Sequence, residues 1–114
     1  MADMEWFREF PGAITICDVQ GIVLDMNDLA AKSYEAEGGR KLIGSNLLDC
    51  HPEPARTKVQ VMLAGGQANI YTIEKRSQKK LIYQTPWYTA GRYAGFVELQ
   101  LDIPFDLPHF VRAA

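Results

Sequence analysis

Residues 93–103, YAGFVELQLDI, decide the fold of this chain of 114 residues. Apolar residues occupy the odd positions from 97 to 103, and polar residues lie at the positions between them. Successive side chains of a β-strand point to opposite faces, so this pattern predicts a long strand with one buried face and one wet face. The apolar side of the sheet needs a partner layer, which we expect the helices to supply.

Two strands precede this one along the chain, at residues 69–75 and 80–87, with a charged turn at 76–79 between them. Near the start, alternating apolar residues over 13–17 and 22–26 predict a β-hairpin whose turn lies at 18–21. The order of elements is therefore two strands, a helical region and three strands.

The helical region is marked by capping residues. Asn27 is a good N-cap, and apolar residues at helical spacing follow it up to Gly38. A second helix is predicted over 53–64, where Pro52 and Pro54 suit the first turn and Gly65 ends it.

The sequence therefore predicts the α+β class, with a five-stranded antiparallel sheet and short helices on one face. We divide it into an N-terminal amphipathic helix at residues 1–10, a domain at 11–103 and a C-terminal tail at 104–114. Three aromatic residues of the first helix fall at helical spacing and must be buried against something, either this domain or a second copy of it; they are Trp6, Phe7 and Phe10.

Composition excludes several classes of protein. Twelve basic and 14 acidic residues give a net charge of 12 − 14 = −2, which argues against a nucleic-acid-binding surface. No apolar run approaches the roughly 20 residues of a membrane helix. Two cysteines and two histidines are few for a metal site, and the first ten residues do not read as an export signal, so we expect a reduced, cytoplasmic protein without metal.

The order and punctuation of these elements resemble a PAS domain over about residues 10–103. The matching segments are Pro11-Gly12-Ala13-Ile14-Thr15-Ile16-Cys17-Asp18, Gly21-Ile22-Val23, Asn27 with Ala30-Ala31 and Tyr34, Ile43-Gly44-Ser45-Asn46-Leu47, Gly95-Phe96-Val97-Glu98 and Asp102-Ile103. The resemblance implies a sensor or interaction module that binds small molecules between sheet and helices, or dimerises, and passes signals to a partner protein. With no room for an output domain, we expect a stand-alone module that signals in trans.

The resemblance also allows two cofactors to be weighed. Flavin photosensors of this superfamily place a cysteine directly after a glycine–x–asparagine triplet, but here Leu47 follows Gly44-Ser45-Asn46. Haem-binding relatives carry a histidine within the long helix, whereas the helix at 53–64 has none and His51 lies just before it. The sequence disfavours both groups, so the cofactor is left unknown, with haem held by His51 as a minor alternative.

Candidate site residues follow from polar groups on apolar faces. A buried tyrosine hydroxyl needs a partner, so such residues either bond within a filled core or anchor a ligand in a small, mostly apolar pocket. The ligand-contact candidates are Tyr34, His51, Tyr71, Tyr83 and Val97, with Gln84 as a further possibility. The dimer-contact candidates are Trp6, Phe7 and Phe10, together with the apolar residues of the tail.

Three functional hypotheses remain at this point. The first is a homodimeric sensor with a small ligand, and the second is a ligand-free module that acts through protein contacts. The third is an enzyme that uses Cys50 or His51. No catalytic arrangement stands out in the sequence, so we expect no enzymatic activity.

Overall fold

The computed structural model describes residues 4–113, so the ends of the predicted first helix and of the tail, residues 1–3 and 114, lie outside the described part. The helices are α1 (Glu5–Arg8), α2 (Asp28–Ser33) and α3 (Ala55–Gly65), with short 3-10 turns at Glu35–Glu37, Gly39–Leu42 and Leu47–Cys50. The strands are β1 (Ala13–Asp18), β2 (Val23–Met26), β3 (Asn69–Lys75), β4 (Gln78–Thr89) and β5 (Arg92–Ile103).

The five strands form one antiparallel sheet in the order β2-β1-β5-β4-β3, which confirms the predicted fold class. The strand that decides the fold, β5, lies at the centre of the sheet and pairs with β1 on one side and β4 on the other. The helical region connects the edge strands β2 and β3, so it crosses the sheet and covers one face.

Asn27 joins the first hairpin to the helices, as its predicted N-cap role requires. Its side-chain oxygen accepts hydrogen bonds from the backbone N–H of Ala30 at 3.1 Å and of Ile14 at 2.9 Å. Its amide donates to the Gly12 carbonyl at 2.8 Å. The side chain is fully buried, and these three bonds satisfy it, so α2 starts at a fixed point on β1.

Two helices are shorter than the sequence predicts. Among the described residues of the predicted first helix, 4–10, the helix covers only Glu5–Arg8, since Pro11-Gly12 follows closely. The second ends at Ser33, and 3-10 turns replace its predicted continuation to Gly38. The Gly39 N–H donates to the Tyr34 carbonyl, so the chain has already turned there. The third helix begins at Ala55, since Pro54 is its N-cap and does not lie in the first turn, and it runs one residue further than predicted, to Gly65, with Gly66 in the left-handed conformation at φ 60°.

The prediction that the helices cover the apolar face of β5 is wrong. In the register of the sheet, Thr15 and Gln84 lie opposite Glu98, and the Tyr34 hydroxyl from the helical layer reaches the same carboxylate. The helix-facing face of β5 therefore carries Phe96, Glu98 and Gln100, while the odd-numbered apolar residues point away. Alternation separates two faces of a strand but does not say which of them the helices cover.

The apolar face that points away from the helices is here called the outward face. It carries residues in register across four strands, namely Ile14, Ile16, Ile70, Leu81, Tyr83, Val97, Leu99 and Leu101. The N-terminal segment covers part of it, because Leu101 and the Phe10 ring both lie against the Cα of Gly12. Much of the rest stays half-exposed, and Ile70 is 52% exposed.

The helix-facing side holds two small apolar clusters. One joins β1, β2 and α2 through Ala13, Val23, Met26 and Ala30. The other joins β1, α3 and β5 through Cys17, Leu63 and Phe96. Leu47 packs against both clusters, so the space between them lies over the middle of the sheet.

Candidate functional site

A cavity with two lobes lies between the sheet and the helical layer, and we refer to it as the central cavity. The smaller lobe has a volume of about 90 Å³ and reaches α3, and the larger has about 240 Å³ and reaches β2. Four residues line both lobes, so the lobes lie next to each other and we refer to them together; these residues are Thr15, Tyr34, Leu47 and His51. Apolar side chains from α3, β2 and β5 make up most of the remaining wall.

The polar part of the wall centres on Glu98. Its Oε1 accepts hydrogen bonds from the Tyr34 hydroxyl at 3.0 Å and from the Gln100 amide at 3.1 Å, and its Oε2 accepts one from the Gln84 amide at 2.7 Å. The Gln84 oxygen in turn accepts from the Asn69 amide at 3.0 Å. These five residues form the Glu98 network, which spans β3, β4, β5 and the end of α2.

Burial sets the protonation of the groups around Glu98. Burial, and then the Glu98 charge, raise the pKa of Tyr34 well above its usual range. The same two causes raise the pKa of Tyr71. Burial raises the pKa of Cys17 as well, to which the charges of Asp18 and Glu98 add. These hydroxyls and the thiol are therefore neutral at pH 7, and the Tyr34 hydroxyl serves as a donor to the carboxylate.

Two of the residues predicted from the sequence, Tyr34 and His51, line both lobes of the central cavity. The His51 Nδ1–H donates to the Leu47 carbonyl at 2.6 Å, which fixes the ring at the start of the segment leading into α3. The exposed thiol of Cys50 borders the larger lobe.

The structure does not bring the other three predicted residues into the cavity in the same way. Tyr71 lies on the helix-facing side of β3 but is 41% exposed, outside the lining of either lobe. Tyr83 lies opposite Leu99, so its side chain belongs to the outward face. Val97 borders the smaller lobe between Phe96 and Glu98. Because side chains alternate along the strand, its side chain points outward, and only its backbone faces the lobe.

Sequence reasoning missed Glu98 and Gln100 because they were assigned to a wet face. The pattern that could have identified them is a row of polar residues at every second position of a strand placed at the centre of a sheet. Polar side chains that a covering layer buries need hydrogen-bond partners of their own, which Glu98 and Gln100 have here.

The three residues predicted to form dimer contacts differ in how exposed they are. Trp6 is 66% exposed, Phe10 is partly buried, and Phe7 is 3% exposed within a single copy of the chain. Phe7 therefore belongs to the interior of its own domain and has little surface left for a partner. In the tail, large apolar residues stay exposed, namely Phe105, Leu107, Phe110 and Val111.

Metal and membrane sites can be assessed over the same part of the chain. Within residues 4–113, no three or more His, Cys, Asp or Glu side chains come together in a way that could hold a metal ion. In that range, none of the helices has the length and apolar character needed to span a bilayer.

Comparison with known proteins identifies the fold. No family model matches the chain, and no curated protein matches it. Among solved structures, the sensor region of a sensor histidine kinase is 26% identical with a TM-score of 0.56, and the match covers 79% of this chain but 38% of that one. The PAS domain of Bordetella pertussis BvgS is 14% identical with a TM-score of 0.64, over 88% of this chain and 82% of that one.

A third similar structure is the Aer2 receptor from Vibrio cholerae, described as a dual PAS-haem oxygen sensor, which is 19% identical with a TM-score of 0.56 over 82% of this chain and 95% of that one. The structural neighbours are mostly PAS domains. The chain therefore has a PAS-like fold, as the sequence resemblance implied.

Proposed function

We propose that the protein is a non-catalytic sensor module that binds a small ligand in the central cavity, forms a homodimer and passes its signal to a partner protein in the cytoplasm. The observation that carries this proposal is the Glu98 network, of which Tyr34, Gln84 and Glu98 lie on the wall of a cavity whose other lining residues are mostly apolar. Ligand sites in proteins usually combine an apolar lining with a few polar anchors in this way.

The competing hypothesis is a ligand-free interaction module whose interior polar groups satisfy one another. Its supporting observation is that none of the buried side-chain polar atoms within residues 4–113 lacks a hydrogen-bond partner. The volume favours the sensor instead, since the larger lobe, about 240 Å³, exceeds the space that a few ordered waters need.

The proposal does not include haem or flavin. Haem is a candidate because the similar Aer2 structure is described as a haem sensor. In this chain His51 could coordinate a haem iron only through Nε2, because Nδ1 donates a hydrogen bond to the Leu47 carbonyl. However, a porphyrin is larger than either lobe of the central cavity. For a flavin adduct, Cys50 is exposed on a 3-10 turn and does not follow Asn46 directly, which leaves Leu47 at the position of the reactive cysteine.

Native mass spectrometry of the purified protein tests ligand binding. We expect a bound mass in the wild type and its loss in Val59→Trp, because Val59 lines the smaller lobe from α3 and an indole there fills it. The matched control is Val61→Trp on the same helix, where the side chain is 66% exposed. An apo mass for all three proteins, each folded by circular dichroism, supports the ligand-free module instead.

Homodimerisation is supported by the outward face of the sheet. A half-exposed apolar surface of this kind commonly marks a protein contact. Trp6 adds an exposed aromatic side chain from α1, next to the segment that covers part of that face. We propose that a second copy of the chain covers the remaining surface, and the test of this contact is given in the Discussion.

A further inference from the structure

We propose that the central cavity selects small ring compounds that carry a cationic or N–H-donating nitrogen, such as amines and amidines, and rejects carboxylates. The inference rests on the proposed function, since it names the class of ligand for the same site. It follows from the charge of the cavity wall and from the hydrogen-bonding capacity that Glu98 has left.

The wall of the central cavity carries two glutamates. Glu98 lines the smaller lobe and Glu37 lines the larger, and among the described residues that line either lobe there is no lysine or arginine. The ion pairs identified in residues 4–113, Arg40–Asp28 and Lys80–Asp102, involve neither glutamate. A carboxylate ligand would therefore meet like charge from both glutamates, with no lysine or arginine in the lining to offset it.

The donors that hold Glu98 are all neutral. The Tyr34 hydroxyl and the amides of Gln84 and Gln100 stabilise the carboxylate by hydrogen bonds, but they leave its negative charge in place. An entering cation would supply the missing charge, and an ion pair of this kind is favourable when hydrogen bonds complete the geometry.

Glu98 also has an acceptor position left for a ligand. A carboxylate has about four lone-pair sites, and the network uses two at Oε1 and one at Oε2. The remaining site at Oε2 lies on the residue that lines the smaller lobe. The neutral thiol of Cys17 and the hydroxyl of Thr15 line the same lobe and add weaker polar contacts.

The volume of the cavity fits a single ring. An apolar protein cavity of about 150 Å³ is known to hold benzene. The larger lobe here, at about 240 Å³, exceeds that volume, and it lies next to the lobe that contains Glu98, since four residues line both. A ring in the larger lobe with its nitrogen directed at Glu98 satisfies both parts of the site.

Isothermal titration calorimetry with three probes of matched shape tests the inference. The probes are benzylamine, benzyl alcohol and benzoate, and the proteins are the wild type, Glu98→Gln and the control Glu74→Gln. Glu74 is exposed on β3 opposite Lys79, so its substitution makes the same change of charge away from the cavity. We expect the wild type and the Glu74→Gln control to bind benzylamine at least tenfold more tightly than benzyl alcohol and not to bind benzoate.

In Glu98→Gln the preference for benzylamine should fall to within about twofold of benzyl alcohol, while the alcohol still binds. Equal binding of benzylamine and benzyl alcohol by the wild type overturns the inference but leaves the proposed ligand site standing. Binding of benzoate, or no binding of benzylamine, also overturns it. If Glu98→Gln does not fold, the order of the three probes on the wild type decides by itself. The proposed function has a separate test, because it fails if native mass spectrometry of the purified wild type shows no bound mass.

Discussion

At the scale of single residues, Gly95 sets how closely β5 approaches β1. Its φ is +145°, and a Cβ built there would lie 1.9 Å from the Cys17 carbonyl oxygen and 2.8 Å from the Asp18 Cα. The Trp87 indole N–H donates to the same Cys17 oxygen at 3.0 Å. Three strands therefore meet at a point where a side chain on β5 has no space, and the bulge of β4 beside Trp87 lies at the same level.

We predict that Gly95→Ala lowers the free energy of unfolding by about 3 kcal/mol or more, because the clash is with backbone that cannot move without breaking the β1–β5 ladder. Gly65→Ala is the control, since an added Cβ there has no heavy atom within 4 Å and its φ is not positive. We expect that substitution to change the free energy of unfolding by less than about 1 kcal/mol. Urea denaturation followed by circular dichroism measures both, and equal midpoints for the two variants would contradict the prediction.

At the scale of elements, the sequence predicts the strands better than the faces that they present. Three predictions depend only on local chemistry and are confirmed for that reason. They are the period of two in β5, the N-cap at Asn27 and the glycine that ends α3. The side of the sheet that receives the helices depends on where Asn27 anchors α2, which is a contact between distant parts of the chain. No local pattern contains that information, so the alternation of the last strand predicts Glu98 and Gln100 on the solvent face.

The same limit applies to the candidate site. The predictions for Tyr34 and His51 do not depend on strand faces, since both residues lie in the helical region, which packs against the sheet whichever way the sheet is turned. Tyr83 and Val97 lie on strands, where an error of face moves every side chain to the other side. Glu98 belongs to the site because the Tyr34 hydroxyl, at the end of α2, donates a hydrogen bond to it. This contact joins distant parts of the chain, so the sequence pattern of β5 does not indicate it.

The edge strand β3 offers a test of the proposed dimer surface, since it carries two isoleucines on opposite faces. Ile70 lies opposite Tyr83 on the outward face and is 52% exposed, while Ile73 lies on the helix-facing side and is 36% exposed. We predict that Ile70→Glu converts a dimer to a monomer, because it places charge in an apolar contact. Ile73→Glu should leave the dimer intact. Sedimentation velocity distinguishes these outcomes, and loss of the dimer in both variants would place the contact elsewhere.

At the scale of the whole molecule, the sheet and the helical layer depend on ligand occupancy to different extents. Backbone hydrogen bonds join all five strands directly, so the sheet is held together whether or not the central cavity is filled. The helical layer consists of α2, α3 and short 3-10 turns, and elements this short depend on packing against the sheet. An empty cavity removes part of that packing, so occupancy should act mainly on the helices.

We therefore predict where and how strongly a ligand stabilises the protein. Benzylamine at one hundred times its dissociation constant should add about 2.7 kcal/mol to the free energy of unfolding and raise Tm by roughly 10 °C. Hydrogen exchange should slow most in α2, α3 and the turns between them, since those segments close the cavity, and Glu98→Gln should lose most of this protection. Protection confined to the strands, with none in α2, α3 or the turns, would contradict the prediction, because a ligand held between the two layers contacts both of them.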